Sequence, residues 1–231
     1  MNFSRFTRIT ALTLATILSL FCVACGTGQP PEETEAESIY VMTMAEVKSS
    51  INSKTTDDFI ETEEITDYVR ITVKDHGHII LRLRPDVAPI TVANFQKLVG
   101  EHYYDGVTFH RIYKGFMIQG GDPDGDGLSD PSIPGIKGEF FSNGVANNLS
   151  HVRGVISMAR TNLPNSAYSQ FFICDANSTF LDGNYAAFGY VVAGLETVDS
   201  IASVEVQYQG NEKSDPIEDV VMEKVCFVSP K

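Results

Sequence analysis

Phe109-His110-Arg111-Ile112-Tyr113-Lys114-Gly115-Phe116-Met117-Ile118-Gln119-Gly120-Gly121-Asp122 reads as a β-hairpin, with strands over 108–112 and 116–119 and a turn at Lys114-Gly115. Alternate side chains of a strand face the same way, so Arg111 shares a wall with Phe116, Met117 and Gln119. His110 points to the opposite face, where a packed and hydrogen-bonded histidine is expected. The pattern sets a guanidinium at the rim of an apolar pocket. An always-charged fork of donors beside apolar walls suits an uncharged, carbonyl-bearing ligand. A core suits it poorly, because a buried charge without a carboxylate partner costs several kcal/mol. By itself the stretch fits equally well a hairpin whose arginine lies on the surface.

Three further stretches decide between these readings. They are Val155-Ile156-Ser157-Met158-Ala159-Arg160, Pro164-Asn165-Ser166-Ala167-Tyr168-Ser169-Gln170-Phe171-Phe172-Ile173, and Phe180-Leu181-Asp182-Gly183-Asn184-Tyr185-Ala186-Ala187-Phe188-Gly189. Together with the hairpin they resemble the cyclophilins, which are peptidyl-prolyl cis/trans isomerases, from about Asp67 to Val228. The resemblance implies a mainly β fold, a closed eight-stranded antiparallel barrel capped by two helices. It also implies that Arg111 is the catalytic residue. Phe116, Met117, Phe172 and Leu181 match the family's proline pocket, Gln119 and Gln170 its polar contacts to the peptide, and Ala159 a residue of its substrate groove. Arg160 stands where asparagine is common, Phe180 where tryptophan is frequent and Tyr185 where histidine is. The loop from Met158 to Gln170 is one residue longer than in the best-known eukaryotic pattern. These departures bear on substrate and inhibitor preference. In the family the matching tryptophan can donate its indole N–H to cyclosporin, and a phenyl ring has no such donor.

The residues themselves support the architecture. Tyr68–Val73 and Ile79–Arg84 are β-rich around an Asp75-His76-Gly77 turn, and Leu81 and Leu83 alternate with Arg82 and Arg84 as in a hairpin with one wet face. Pro89 in a first turn, Phe95, Leu98 and Val99 at helical spacing, and Gly100 as terminator predict a helix over 88–99. Further strands are expected near 108–112, 115–119, 153–159, 170–174, 187–192 and 219–228, with a second helix over Leu195–Ala202. Many short strands with Gly-rich turns argue for a barrel.

The chain of 231 residues is 43% hydrophobic and 20% charged, ordinary for a globular protein. Its net charge of -13 makes duplex nucleic acid a poor partner, since that affinity rests on cationic contacts to phosphate. Arg5 and Arg8 precede an uncharged, mostly apolar run from Ala11 to Ala24, too short for a membrane span of about 20 residues. The run ends in Cys22-Val23-Ala24-Cys25-Gly26, which resembles a bacterial lipobox with Cys22 in place of the usual leucine. Residues 1–24 therefore read as a signal peptide and Cys25 as a lipidated mature N-terminus. This predicts a monomer anchored by lipid to the extracytoplasmic face of the cell membrane. Residues 25–66 read as an acidic, mostly flexible tether and 67–231 as the isomerase-like domain. Within the tether, Ile39–Val47 fits either a short helix capped through Thr43 and Glu46 or a strand added to the domain edge.

Other chemistries are poorly served. Asp122-Pro123-Asp124-Gly125-Asp126-Gly127 imitates the start of a calcium loop, but its twelfth position is Ile133 and no helix leads into it, so it reads as a solvated turn. The histidines lack metal-ligand spacing apart from His76-Gly77-His78 in a predicted turn, so no metal is expected. No nucleophile motif or cofactor fingerprint is present. Cys174 and Cys226 lie in apolar β-rich runs and read as free buried thiols, although a disulfide between them is compatible with an extracytoplasmic location. Turning an amide meets a barrier of about 18–20 kcal/mol because nitrogen shares its lone pair with the carbonyl, and a cation beside that nitrogen lowers it. The function expected is therefore isomerisation of proline-containing segments of exported proteins. A non-enzymatic module that holds such segments in the same groove is the second reading.

Overall fold

A computed structural model describes residues 43–125, 127 and 133–231; residues 1–24, expected to be a signal peptide, Cys25, residues 26–42, Asp126 and 128–132 lie outside the described residues. In chain order the elements are α1 (Met44–Ser50), β1 (Phe59–Glu61), β2 (Tyr68–Val73), β3 (Gly77–Leu83), α2 (Pro89–Gly100), β4 (Arg111–Tyr113), β5 (Met117–Gly120), β6 (Val155–Met158), β7 (Phe171–Cys174), β8 (Ala187–Ala193), α3 (Leu195–Ala202), β9 (Val206–Gln209), β10 (Glu212–Pro216) and β11 (Met222–Pro230). Nine strands form one sheet in the order β1-β11-β2-β3-β8-β6-β7-β5-β4, and β9 and β10 form a separate two-stranded ribbon. Eight of the nine fall where the sequence predicts strands. The ninth, β1, and the helix α1 come from the segment expected to be mostly tether.

The β4 end of the sheet approaches β11, which lies next to the β1 edge, through Thr108, which bridges both Asp122 and Val221. Phe109 donates its backbone N–H to Val220 at 2.9 Å, and Met222 donates to Val107 at 2.9 Å. Inside the curl, Phe95, Tyr104, Phe109, Phe171 and Phe188 are fully buried. Phe95 meets Phe171 edge to face at 5.6 Å, and Tyr104 meets Phe171 likewise at 5.5 Å, the geometry that aromatic quadrupoles favour. Helix α2 delivers Phe95 because Thr91, Val92, Phe95, Leu98 and Val99 recur on one buried face. Its N-cap is Ala88, which has no capping side chain. Glu139 caps it from a distant loop, accepting from the backbone N–H groups of Ile90 and Thr91 at 3.1 and 2.7 Å.

Two expectations change. Arg84, assigned to a wet face by alternation, is 3% exposed. It bonds Asp86 through Nε at 2.6 Å, and this local carboxylate lets the guanidinium turn inward. The domain also begins before Asp67. Thr43 and Glu46 form the reciprocal capping box of α1, so the helical alternative for that segment is the one adopted. Val47 and Phe59 join the core. Asn52 and Lys54 donate backbone N–H groups to Val191 and Val192, and β1 pairs antiparallel with β11. Acidity and threonine content made 43–66 read as solvated chain. Val47 and Phe59 fall where they can be buried, with Met44 and Ile51 packed against the core, while Ile60 and Ile65 stay exposed.

Candidate functional site

Register builds the site. Arg111 pairs with Gln119, Gln119 with Phe172, and Phe172 with Ser157, so four strands (β4, β5, β7, β6) carry these residues in one row. The next row runs Tyr113, Met117, Cys174. Cross-strand neighbours in a row share a face, and a guanidinium, an amide, a phenyl ring and a thioether are thereby fixed on rigid strands. The connection from β4 to β5 is three residues, 114–116, and needs Gly115 at φ 79. That turn swings Phe116 back over Met117.

Met117, Phe172, Cys174 and Leu181 form a small apolar cluster apart from the main core, with Phe116, Ala159 and Tyr185 packed against it. All of these except Cys174 wall a cavity of about 290 Å³ that Arg111, Gln119 and Arg160 also line. Phe172 and Tyr185 meet edge to face at 5.9 Å. Leu181 reaches the cavity from a short turn whose next residue, Asp182, anchors it. Asp182 Oδ1 accepts from the backbone N–H of His151 and contacts His151 Nδ1, both at 2.8 Å, and Ser150 Oγ donates to Oδ2 at 2.6 Å. A carboxylate only accepts, so Nδ1 carries the proton and Nε2 accepts from the Ser157 hydroxyl at 2.9 Å. The imidazole stacks behind Phe172 at 6.0 Å. Burial lowers the pKa of His151 against the opposing pull of Asp182. Burial pushes Asp182 up, but the bonds from Ser150 and His151 outweigh it and its pKa is lowered.

Arg111 is about a third exposed, 34%, at the cavity rim. Its Nη1 donates to Gln119 Oε1 at 3.1 Å, and Gln119 Nε2 donates to Gln170 Oε1 at 3.0 Å. The hairpin pattern by itself gives Arg111 no carboxylate partner. The structure supplies one: Arg111 Nε and Nη2 donate to Glu212 Oε1 and Oε2 at 2.7 and 2.9 Å. These bonds press the carboxyl pKa down to about 2, with burial opposing and Ser214 assisting.

Every substrate-groove residue expected from the sequence falls in this neighbourhood. Gln170 lines an adjoining cavity of about 100 Å³ shared with Gln119, Ala159 and Arg160. Arg160 lies between two rings, 4.9 Å from the Phe140 centroid and 4.6 Å from that of Tyr185, and donates from Nε and Nη2 to the Asn184 carbonyl. It is therefore part of the wall. Phe180 does not line the cavity; it lies 71% exposed against Phe116, with centroids 5.6 Å apart. His110, assigned to the opposite face, lines the same cavity as Arg111, because β4 begins only at Arg111 and His110 precedes the regular pleat.

Gln209, which lines the cavity, and Glu212 were missed. Val206 and Tyr208 ahead of Gly210-Asn211 carried a hairpin signal, but nothing local ties that hairpin to Arg111, 101 residues away. Asp122 is buried and accepts from the Gly127 N–H at 2.7 Å, so the calcium-like turn is not solvated at its first residue. Cys174 and Cys226 are free and buried, and burial raises the Cys174 thiol to about 12. Among the described residues no group of three or more His, Cys, Asp or Glu could hold a metal ion. Nor is any helix there long and apolar enough to cross a membrane.

Comparison with known proteins agrees with this geometry. The family model described as "Cyclophilin type peptidyl-prolyl cis-trans isomerase/CLD" matches residues 68–226. Peptidyl-prolyl cis-trans isomerase A of Dickeya dadantii is 40% identical over 157 residues, 66% of this chain and 80% of its own. Peptidyl-prolyl cis-trans isomerase B of Escherichia coli is 37% identical over 163 residues, 65% of this chain and 94% of its own. A Cryptosporidium parvum cyclophilin-type isomerase, crystallised in the presence of the dipeptide Ala-Pro, superposes with a TM-score of 0.61 at 30% identity, covering 70% of this chain and 99% of that one.

Proposed function

Because the chain belongs to the cyclophilin-type peptidyl-prolyl cis-trans isomerases, and so catalyses the turning of Xaa-Pro bonds, we propose that Arg111 is its catalytic residue. In this reading the protein is a lipid-anchored monomer that speeds the folding of exported proteins. The observation that carries the catalytic reading is the lining of the cavity. Arg111 borders apolar walls of Phe116, Met117, Phe172 and Leu181, and the described lining residues include no carboxylate or thiol. Such a site can hold a prolyl ring and place N–H donors beside it, and its described lining offers no carboxylate or thiol to act as nucleophile.

The apolar walls take the ring, Gln119 and Gln170 take the peptide's polar groups, and the carbonyl before proline rotates at the open side. As the amide twists, its nitrogen pyramidalises and its lone pair localises. A guanidinium N–H aimed there stabilises that charge better than it stabilises the planar ground state, which is preorganised electrostatic catalysis. Ala159, Arg160, Phe180 and Tyr185 border the peptide on either side. The eight strands β2 to β8 and β11 act as a closed barrel through the Thr108 bridges, which keeps the row from Arg111 to Ser157 rigid.

Cys25 supports the location outside the cytoplasm, since a diacylated N-terminus gives the two-chain anchoring that makes membrane binding stable. Uncatalysed isomerisation takes about 10–100 s, a delay an exported chain spends exposed to proteases. The test is to refold an exported, proline-limited protein with the purified chain. Acceleration of the slow phase supports the role, and an unchanged slow phase alongside activity on short peptides opposes it.

A further inference from the structure

The β9–β10 hairpin turns through Gly210-Asn211, and Gly210 stands at φ 63 in the first turn position, where a type II′ turn requires glycine. β10 packs beside β4, so its first residue, Glu212, arrives at Arg111. A guanidinium carries five N–H donors in a rigid planar fork. Glu212 takes the Nε and Nη2 donors side-on, and Gln119 takes one from Nη1. Two donors remain, one on each Nη. Arg111 lines the cavity and Glu212 does not, so the carboxylate meets the guanidinium from outside the substrate space.

We propose that Glu212 is a positioning residue for isomerisation: by occupying the Nε–Nη2 edge it fixes the plane of the Arg111 guanidinium so that the two remaining Nη donors face the prolyl peptide. The proposal rests on Arg111 being the catalytic donor. A long arginine side chain at a one-third exposed rim has rotamer freedom to lose when it engages a twisted amide, and a bidentate carboxylate removes that freedom beforehand. The arrangement persists through the physiological pH range, because Arg111 and Ser214 hold the Glu212 carboxyl at about 2 against the effect of burial. The pairing also offsets the charge of Arg111, which then acts on the peptide through aimed N–H dipoles.

The test uses the full chain in an Xaa-Pro peptide assay with Glu212→Ala, Glu212→Gln, Arg111→Ala and the Arg111→Ala/Glu212→Ala pair. Residues within one network couple strongly, so Glu212→Ala is expected to lower kcat/KM about tenfold, mainly through kcat. Glu212→Gln keeps the shape and one neutral acceptor, and falls between. In the Arg111→Ala background the Glu212 change has no further effect, which a merely structural residue would not produce. The Arg111 Nε–H resonance, protected in the wild type, broadens or vanishes in Glu212→Ala. If Glu212→Ala unfolds, Glu212→Gln and its own double variant carry the same comparison. A Glu212→Ala rate at or above wild type with Arg111→Ala inactive overturns the proposal and leaves the catalytic reading standing. So does a loss of equal size in both backgrounds. A wild-type rate for Arg111→Ala overturns the reading beneath it.

Discussion

Phe59→Ala tests whether the acidic segment before Asp67 belongs to the domain. The ring is 4% exposed and packs on Tyr68 with centroids 5.3 Å apart. Its backbone pairs with Pro230, and its carbonyl accepts from Arg70 Nη2 at 3.0 Å. The substitution leaves these backbone bonds in place and removes only the buried ring. Emptying a buried phenylalanine site costs about 3–5 kcal/mol, transfer and cavity terms together. Typical domains have a total stability of about 5–15 kcal/mol, so the loss is a large share. For a domain of this size it lowers Tm by about 6–20 °C, at 2–4 °C per kcal/mol. Val47→Ala removes two methyls from a fully buried site and costs about 1.5 kcal/mol at 0.8 kcal/mol per group. The chain has no tryptophan, so unfolding in urea is followed by circular dichroism. Peptide turnover by the folded Phe59→Ala protein stays at the wild-type rate, because the ring is not among the cavity residues. A loss below about 1 kcal/mol with an unchanged denaturant slope refutes the reasoning and returns 43–66 to the status of a tether.

Three further outcomes are expected. His151 has a lowered folded pKa, so the native state binds fewer protons than the unfolded chain. The associated stability is present above the ordinary value of 6.5 and is lost as pH falls through the folded value; Asp182, lowered from 3.8, adds the same sign at lower pH. Tm is therefore level from about pH 7 to 8 and declines below about 6.5, more gently in His151→Gln, and an NMR titration placing His151 above 6.5 contradicts this. Phe180→Trp restores an indole donor on the exposed rim beside Phe116 and lowers the cyclosporin inhibition constant by about 1–3 kcal/mol, five- to 150-fold; equal constants for both proteins dispose of the idea. Cys25→Ser leaves an unprocessed precursor or releases the protein from membranes, and mass spectrometry finding an unmodified N-terminus on the cleaved wild type opposes lipidation.

Most of the sheet was legible because its strands carry their own signals. The period-2 pattern of Tyr68–Val73, the Pro89 and Phe95 spacing of α2, and the glycine-marked hairpin around Arg111 each appear within a dozen residues. In the apolar half of the candidate site, Phe116 and Met117 were legible from the hairpin, whereas Phe172 and Leu181 were indicated only by the resemblance that four stretches in order carry, since periodicity does not separate them from ordinary core. What stayed hidden depends on long separation in sequence. Phe59 finds β11, Glu139 caps α2 across 48 residues, and Glu212 reaches Arg111 only after β9 and β10 have formed. His110 was misplaced because alternation was extended one residue beyond the start of β4. Arg84 was misplaced because its partner Asp86 lies in the following turn, where a strand-face argument does not look.

The claim at the centre of this account is that the Arg111 guanidinium lowers the barrier to prolyl rotation. The most direct measurement is kcat/KM of Arg111→Ala on an Xaa-Pro peptide, beside its unfolding curve. Removing a preorganised donor costs about 2–4 kcal/mol in the transition state, roughly 30- to 1000-fold in rate. A loss of that size with cooperative unfolding is the predicted result, and a folded Arg111→Ala protein turning over at the wild-type rate would contradict it.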